Sequence, residues 1–131
     1  MIGLDTNILV RLLVEDDPEQ GARALRAVAK HCGAEQPGYV GHIVLCELIW
    51  VLEARYRFGR AAIVAAVEAL SRSADLRLEE PDLVRAALDI FASGRADFAD
   101  CLIGLSNLRA GCRTTLTLDR AAGRLPAFEA V

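Results

Sequence analysis

Short apolar runs alternate along this chain with longer segments of helical period, and turn residues mark the joins. Ile2 to Leu4 is an apolar run that meets Asp5-Thr6-Asn7, which closes a strand and opens a helix through Leu13. Pro18 suits a first helical position, and the alanine- and arginine-rich stretch behind it carries a helix through Lys30. Pro37 and Gly38 break the pattern and leave Tyr39-Val40-Gly41 as a short strand. From His42 to Tyr56 the residues predict a strongly apolar helix ended by Gly59, with a second helix from Arg60 to Leu70. Leu76-Arg77-Leu78 alternates as a strand does, Pro81 opens another helix and Gly94 closes it. Asp97 to Ala110 predicts a further helix, Thr114 to Leu118 a β-branched strand, and Asp119 begins the terminal turn.

Strands separated by helices in this order predict an α/β protein, a parallel sheet covered by helices, with right-handed crossovers. In such sheets ligands bind beyond the carboxyl ends of the strands, where successive loops converge. Asp5 and Asp119 both fall at such ends.

Composition narrows the class. With 131 residues, 53% of them apolar, the chain suits one domain and is too apolar for intrinsic disorder. No repeat, low-complexity tract or linker interrupts it. Its longest charge-free stretch, Gln36 to Cys46, is well short of the roughly 20 residues of a spanning helix. Met1-Ile2-Gly3-Leu4-Asp5 has no basic lead and meets a carboxylate at once, so no secretory leader is expected. Cys32, Cys46, Cys101 and Cys112 form no CxxC pair and have no neighbouring histidine, so they read as small buried hydrophobes in a reducing cytosol. The 15 basic and 18 acidic side chains leave a net charge of −3, which lacks the basic signature of a generic nucleic-acid binder.

The acids are unevenly placed. Asp5 and Asp119 stand where Asp is also a favoured helix cap. Glu47 has Ile43, Val44, Trp50 and Val51 at helical spacing, so it projects from an apolar surface, where a carboxylate must be paired, coordinated or neutralised. An arginine partner would satisfy it with no functional role. Asp97 and Asp100 share one face at a helix start, where capping and the helix dipole can account for both. Carboxylates from separate segments repel one another unless a cation sits among them, and all-oxygen ligation suits Mg²⁺ or Mn²⁺ rather than zinc. Such ions lower the pKa of a bound water and stabilise the departing oxygen of a phosphodiester. Hydrolysis of a nucleic-acid strand is the chemistry that fits.

Several fragments, in order, resemble the PIN-domain ribonucleases, specifically the VapC-type toxins of bacterial and archaeal toxin–antitoxin pairs. They are Ile2-Gly3-Leu4-Asp5-Thr6-Asn7, Val44-Leu45-Cys46-Glu47-Leu48, Ala96-Asp97-Phe98-Ala99-Asp100-Cys101-Leu102-Ile103 and Leu116-Thr117-Leu118-Asp119-Arg120. The resemblance spans nearly the whole chain. It implies a single PIN-like three-layer α/β domain over residues 1–131, with a central parallel sheet of about four to five strands flanked by helices. It further implies an endoribonuclease dependent on Mg²⁺ or Mn²⁺, whose Asp5, Glu47, Asp100 and Asp119 hold the ions. Asp97 would be an auxiliary acid or the helix cap, and Thr6, Asn7 and Thr117 match positions near the site. Thr117, two residues before Asp119, can share its strand face and orient it. Gly41 stands where related sequences often carry a small hydroxyl residue, which removes one supporting hydrogen bond. The implied partners are an RNA substrate, a second copy of the chain in a homodimer and a small VapB-like antitoxin, in the cytoplasm and away from membranes.

Other chemistries fit less well. His31 and His42 could serve a metal-free ribonuclease, yet neither sits in a recognisable frame, and each reads as a surface or helix-end residue. Arg55, Arg57 and Arg60 surround one turn, while Arg109, Arg113, Arg120 and Arg124 crowd the final third; they suit helix ends or phosphate contacts. Gly3, Gly21 and Gly33 match no phosphate loop, and Lys30, the only lysine, does not suit a receiver domain. Trp50 and Leu48 read as core residues first and as partner contacts second. The competing functions are a catalytically silent interaction module on the same fold and an RNA-processing nuclease outside a toxin–antitoxin pair.

Overall fold

In the computed structural model, which describes residues 1–131, the chain forms two units, Met1–Pro81 and Asp82–Val131. The first contains β1 (Ile2–Gly3), α1 (Thr6–Leu13), α2 (Pro18–His31), β2 (Gly38–Val40), α3 (His42–Tyr56), α4 (Arg60–Arg72) and β3 (Leu76–Leu78). Its strands form a parallel sheet in the order β1-β2-β3, with Ile2 opposite Gly38 and Gly38 opposite Leu76. Parallel neighbours cannot be joined by a tight turn, and a helix pair makes each crossover. Leu9, Val10, Leu45, Leu48, Leu52 and Ile63 on these helices are fully buried. At Gly38 a Cβ would stand 2.7 Å from Cδ1 of Leu4 and 3.1 Å from Cδ2 of Leu76, so a side chain there would have to displace both leucines.

Local chemistry explains where these elements stop. Asp17 accepts the Gln20 backbone N–H at 3.0 Å and caps α2, with Pro18 in the first turn as expected. Gly41 caps α3 without a side chain, so β2 ends at Val40 rather than at Gly41. The missing bond comes from Glu79, whose Oε1 accepts the His42 N–H at 2.8 Å. α3 ends because Arg57 takes the left-handed conformation at φ 57 and its N–H returns to the Leu52 carbonyl. Gly59, expected as the terminator, instead caps α4.

The second unit carries α5 (Pro81–Ser93) from Asp82 onward, α6 (Phe98–Arg109), β4 (Thr115–Thr117), a 3₁₀ turn (Ala122–Arg124) and β5 (Phe128–Ala130). β4 and β5 pair in parallel, with Thr115 opposite Phe128. Phe91 of α5 meets Phe98 of α6 edge to face, ring centroids 6.0 Å apart. α6 lies so close to β5 that a Cβ on Gly104 would fall 2.6 Å from Cε2 of Phe128. Asn107 donates to Oγ1 of Thr115 at 2.9 Å, and Arg109 binds Asp82 at 2.6 Å.

The strands are parallel and helix-connected as expected, but hydrogen bonding groups them as three and two. β5 lies beyond the last strand singled out from the sequence. Among the cysteines only Cys101 is buried; Cys32 and Cys46 are half-buried and Cys112 is exposed just past α6, so the expectation of four buried thiols holds for one. No helix is long and apolar enough to cross a membrane.

Candidate active site

Because β1 and β2 are neighbours, the helices that follow them start side by side. Asp5 leaves the end of β1 and its Oδ1 accepts the Thr6 backbone N–H at 2.7 Å, so it occupies the cap position of α1. Its carboxylate remains exposed. Thr6, only 4% exposed, donates its hydroxyl to Oε1 of Glu47 on α3. That bond ties the first residue of α1 to α3 and fixes the glutamate's position relative to Asp5. Asn7 is exposed beside them.

Glu47 departs from the apolar burial expected of it: it is exposed and its partner is Thr6 rather than an arginine. The reason lies in α3, which is apolar on nearly every side, so some of that surface must face outward. Ile43 is 87% exposed and Trp50 65%, while Leu48 is fully buried. Trp50 is therefore a surface residue, against the expectation that placed it in the core.

In the second unit Asp119 follows β4. Thr117 Oγ1 accepts its backbone N–H at 3.0 Å, and its own Oδ1 accepts the Ala122 N–H at 2.8 Å. Asp97 sits at the cap position of α6 but makes no side-chain capping bond, leaving its carboxylate uncommitted. Asp100 lies in the first turn of α6 and is half-buried. Partial burial first, then the charges of Asp97 and Asp119, hold its carboxyl above the usual aspartate value. Asp100 is thus the acid of this unit on which the neighbouring charges bear.

Thus each unit contains two of the four principal candidate ligands, Asp5 with Glu47 and Asp100 with Asp119. No group of three or more His, Cys, Asp or Glu side chains stands ready-made to hold a metal ion. The donors are all carboxylate oxygens, with no histidine or thiolate among them, and fit a hard divalent cation. His42 is engaged elsewhere, its Nε2 lying 2.8 Å from the Glu79 carbonyl, and His31 ends α2. Neither takes the place of an acid–base pair.

Sequence reasoning passed over Arg11, which donates to Asp16 and, at 3.4 Å, to the Tyr56 hydroxyl. Tyr56 in turn donates to Asp16 at 2.7 Å. The available signal was an arginine on the strongly amphipathic α1, a helix otherwise apolar after Asn7.

Parallel strands and helical crossovers, with acids at strand ends, define an α/β protein consistent with a PIN-like fold. The PIN-domain family model matches residues 2–127, and the chain belongs to that family. PIN domains are typically nucleases and generally use divalent metals. No match was found among curated proteins.

Proposed function

We propose that residues 1–131 act as a single PIN-like domain, a divalent-metal-dependent endoribonuclease serving as the toxin of a type II toxin–antitoxin system. The observation that carries the nuclease reading is that buried Thr6, whose backbone N–H binds the Asp5 carboxylate, donates its hydroxyl to Glu47 of α3. Asp5, Glu47, Asp100 and Asp119 are the assigned ligands of Mg²⁺ or Mn²⁺. When bound, such an ion activates a water and stabilises the phosphate oxygen that departs. Thr6 orients Glu47, Thr117 steadies the turn that carries Asp119, and Asp97 adds negative potential near Asp100. Asn7, exposed beside the first pair, is available to a substrate phosphate.

The toxin role, a homodimer and neutralisation by a small VapB-like antitoxin extend from the sequence resemblance. The exposed apolar side chains of α3, Ile43 and Trp50, support a helix-in-groove partner contact. The test is RNA cleavage by purified protein with Mg²⁺ or Mn²⁺, then with chelator, then in Asp5→Asn and Asp119→Asn. Cleavage that requires the metal and is lost in both variants is expected. Cleavage indifferent to chelation and to both substitutions refutes the assignment, and a folded protein that binds a partner yet never cuts RNA points to the silent module.

A further inference from the structure

α1 and α2 do not close completely against each other. Small Ala24 and Ala27 on α2 face Ile8 and Arg11 on α1 and leave a cavity of about 380 Å³, within the usual size range of small-ligand sites. Gln20 and Arg23 complete its α2 side, in one stripe with the two alanines at helical spacing, and Asn7 lines it from α1.

Each polar side chain in this lining offers N–H groups, two guanidiniums and two carboxamides, and no carboxylate lines it. The charge on Arg11 is answered by Asp16, whereas exposed Arg23 has no carboxylate partner. The Arg11 guanidinium is already engaged, by Asp16 and by the Tyr56 hydroxyl, so the uncompensated positive charge in the lining is that of Arg23. With the Arg23 charge unanswered and the Asn7 and Gln20 carboxamides in the same lining, the cavity favours an occupant that brings acceptor oxygens and negative charge. Ile8, Ala24 and Ala27 meanwhile supply an apolar wall, which bare phosphate would not use. Asn7, two residues after Asp5 in the chain, joins the cavity to the Asp5–Glu47 pair.

We propose that the α1–α2 cavity is a subsite for one phosphate-bearing nucleotide of the bound strand, its phosphate facing Arg23 and its ribose and base the apolar wall. The identification of the ligand as part of an RNA strand rests on the nuclease reading; the preference for a nucleotide phosphate rests on the cavity alone.

The experiment is calorimetric titration in EDTA, where no metal-dependent cleavage intervenes, with three probes: adenosine monophosphate, inorganic phosphate and an uncleavable 2′-O-methyl trinucleotide. The monophosphate should bind at one site, more tightly than inorganic phosphate and more weakly than the trinucleotide. Arg23→Glu should weaken the monophosphate at least tenfold, while Arg26→Glu, the same charge change at an exposed α2 position outside the lining, leaves it unchanged. No binding, equal weakening by the two variants, or inorganic phosphate bound as tightly as the nucleotide overturns the subsite. A trinucleotide bound no better than the monophosphate overturns its place along a strand. Failure of the nuclease reading looks different, since nucleotide binding would then persist, and persist in Asp5→Asn, in a protein that cuts no RNA.

Discussion

Thr6 shows how a single hydroxyl can organise two acids. Because it is buried and donates to an exposed carboxylate, its removal acts on the position of Glu47 more than on the core. A hydrogen bond to a charged group contributes about 1.5–3 kcal/mol, so Thr6→Val should slow metal-dependent cleavage roughly tenfold or more. Steady-state kinetics across a Mg²⁺ titration check this, and an unchanged rate would reduce Thr6 to a space-filling role. Asp16 is a second case. The Tyr56 hydroxyl chiefly, and Arg11 after it, hold its carboxyl below the usual aspartate value. Its stabilising effect is therefore present above the unfolded-state pKa and is lost as pH falls through the lower, folded-state value. Tyr56→Phe should move the Asp16 midpoint upward in an NMR titration; a fixed midpoint contradicts the assignment. Residue types and strand-end positions were legible in the sequence, since Asp5, Asp97, Asp100 and Asp119 lie at the turns and helix starts expected. Their partners were not. The bond between Thr6 and Glu47 joins residues 41 apart, and nothing local in the sequence announces it.

Elements were legible wherever the chain punctuates itself with proline or a capping side chain. α1, α2, α3 and α5 begin at Thr6, Pro18, His42 and Pro81 as their flanking residues predict. The differences occur where the deciding group is distant or conformational. Gly41 looks like an uncapped start until Glu79 is seen to supply the bond, and Arg57 ends α3 through a positive φ that its residue type does not advertise. β5 is three residues long and acquires strand character only by pairing with β4, so no periodicity could reveal it. Gly104 tests the packing of α6 on β5. In an open helix, Gly→Ala stabilises by up to about 1 kcal/mol. Against Phe128 the added methyl has no room, and overpacking of this kind costs about 1–3 kcal/mol. Gly104→Ala should therefore lower the melting temperature, and Phe128→Leu in the same chain should recover part of the loss. A melting temperature raised by the single substitution would show that the ring yields.

For the whole molecule, charge is the property most easily misread. Setting aside Asp5, Glu47, Asp100 and Asp119 leaves 15 basic against 14 acidic side chains, so the acidity belongs to the candidate ligands rather than to the surface at large. The proposed function assigns a divalent cation to these carboxylates, where it would offset the repulsion that Asp100 meets from Asp97 and Asp119. Mg²⁺ at a hundredfold excess over its Kd should stabilise the protein by about 2.7 kcal/mol, and melting curves with and without chelator measure this. Asp100→Asn removes the charge that Asp97 and Asp119 oppose, so in chelator it should melt higher than the parent while failing to cut RNA. A lower melting temperature would show that the Asp100 carboxyl stabilises the fold. The outward-facing Trp50 has a consequence of its own. As the only tryptophan in the chain, and already 65% exposed, it changes surroundings little when the protein unfolds, and its emission is a poor reporter of denaturation. One helical turn from Glu47, it is instead a built-in optical sensor: a blue shift on mixing would signal that something has covered that face of α3 while the fold stayed intact.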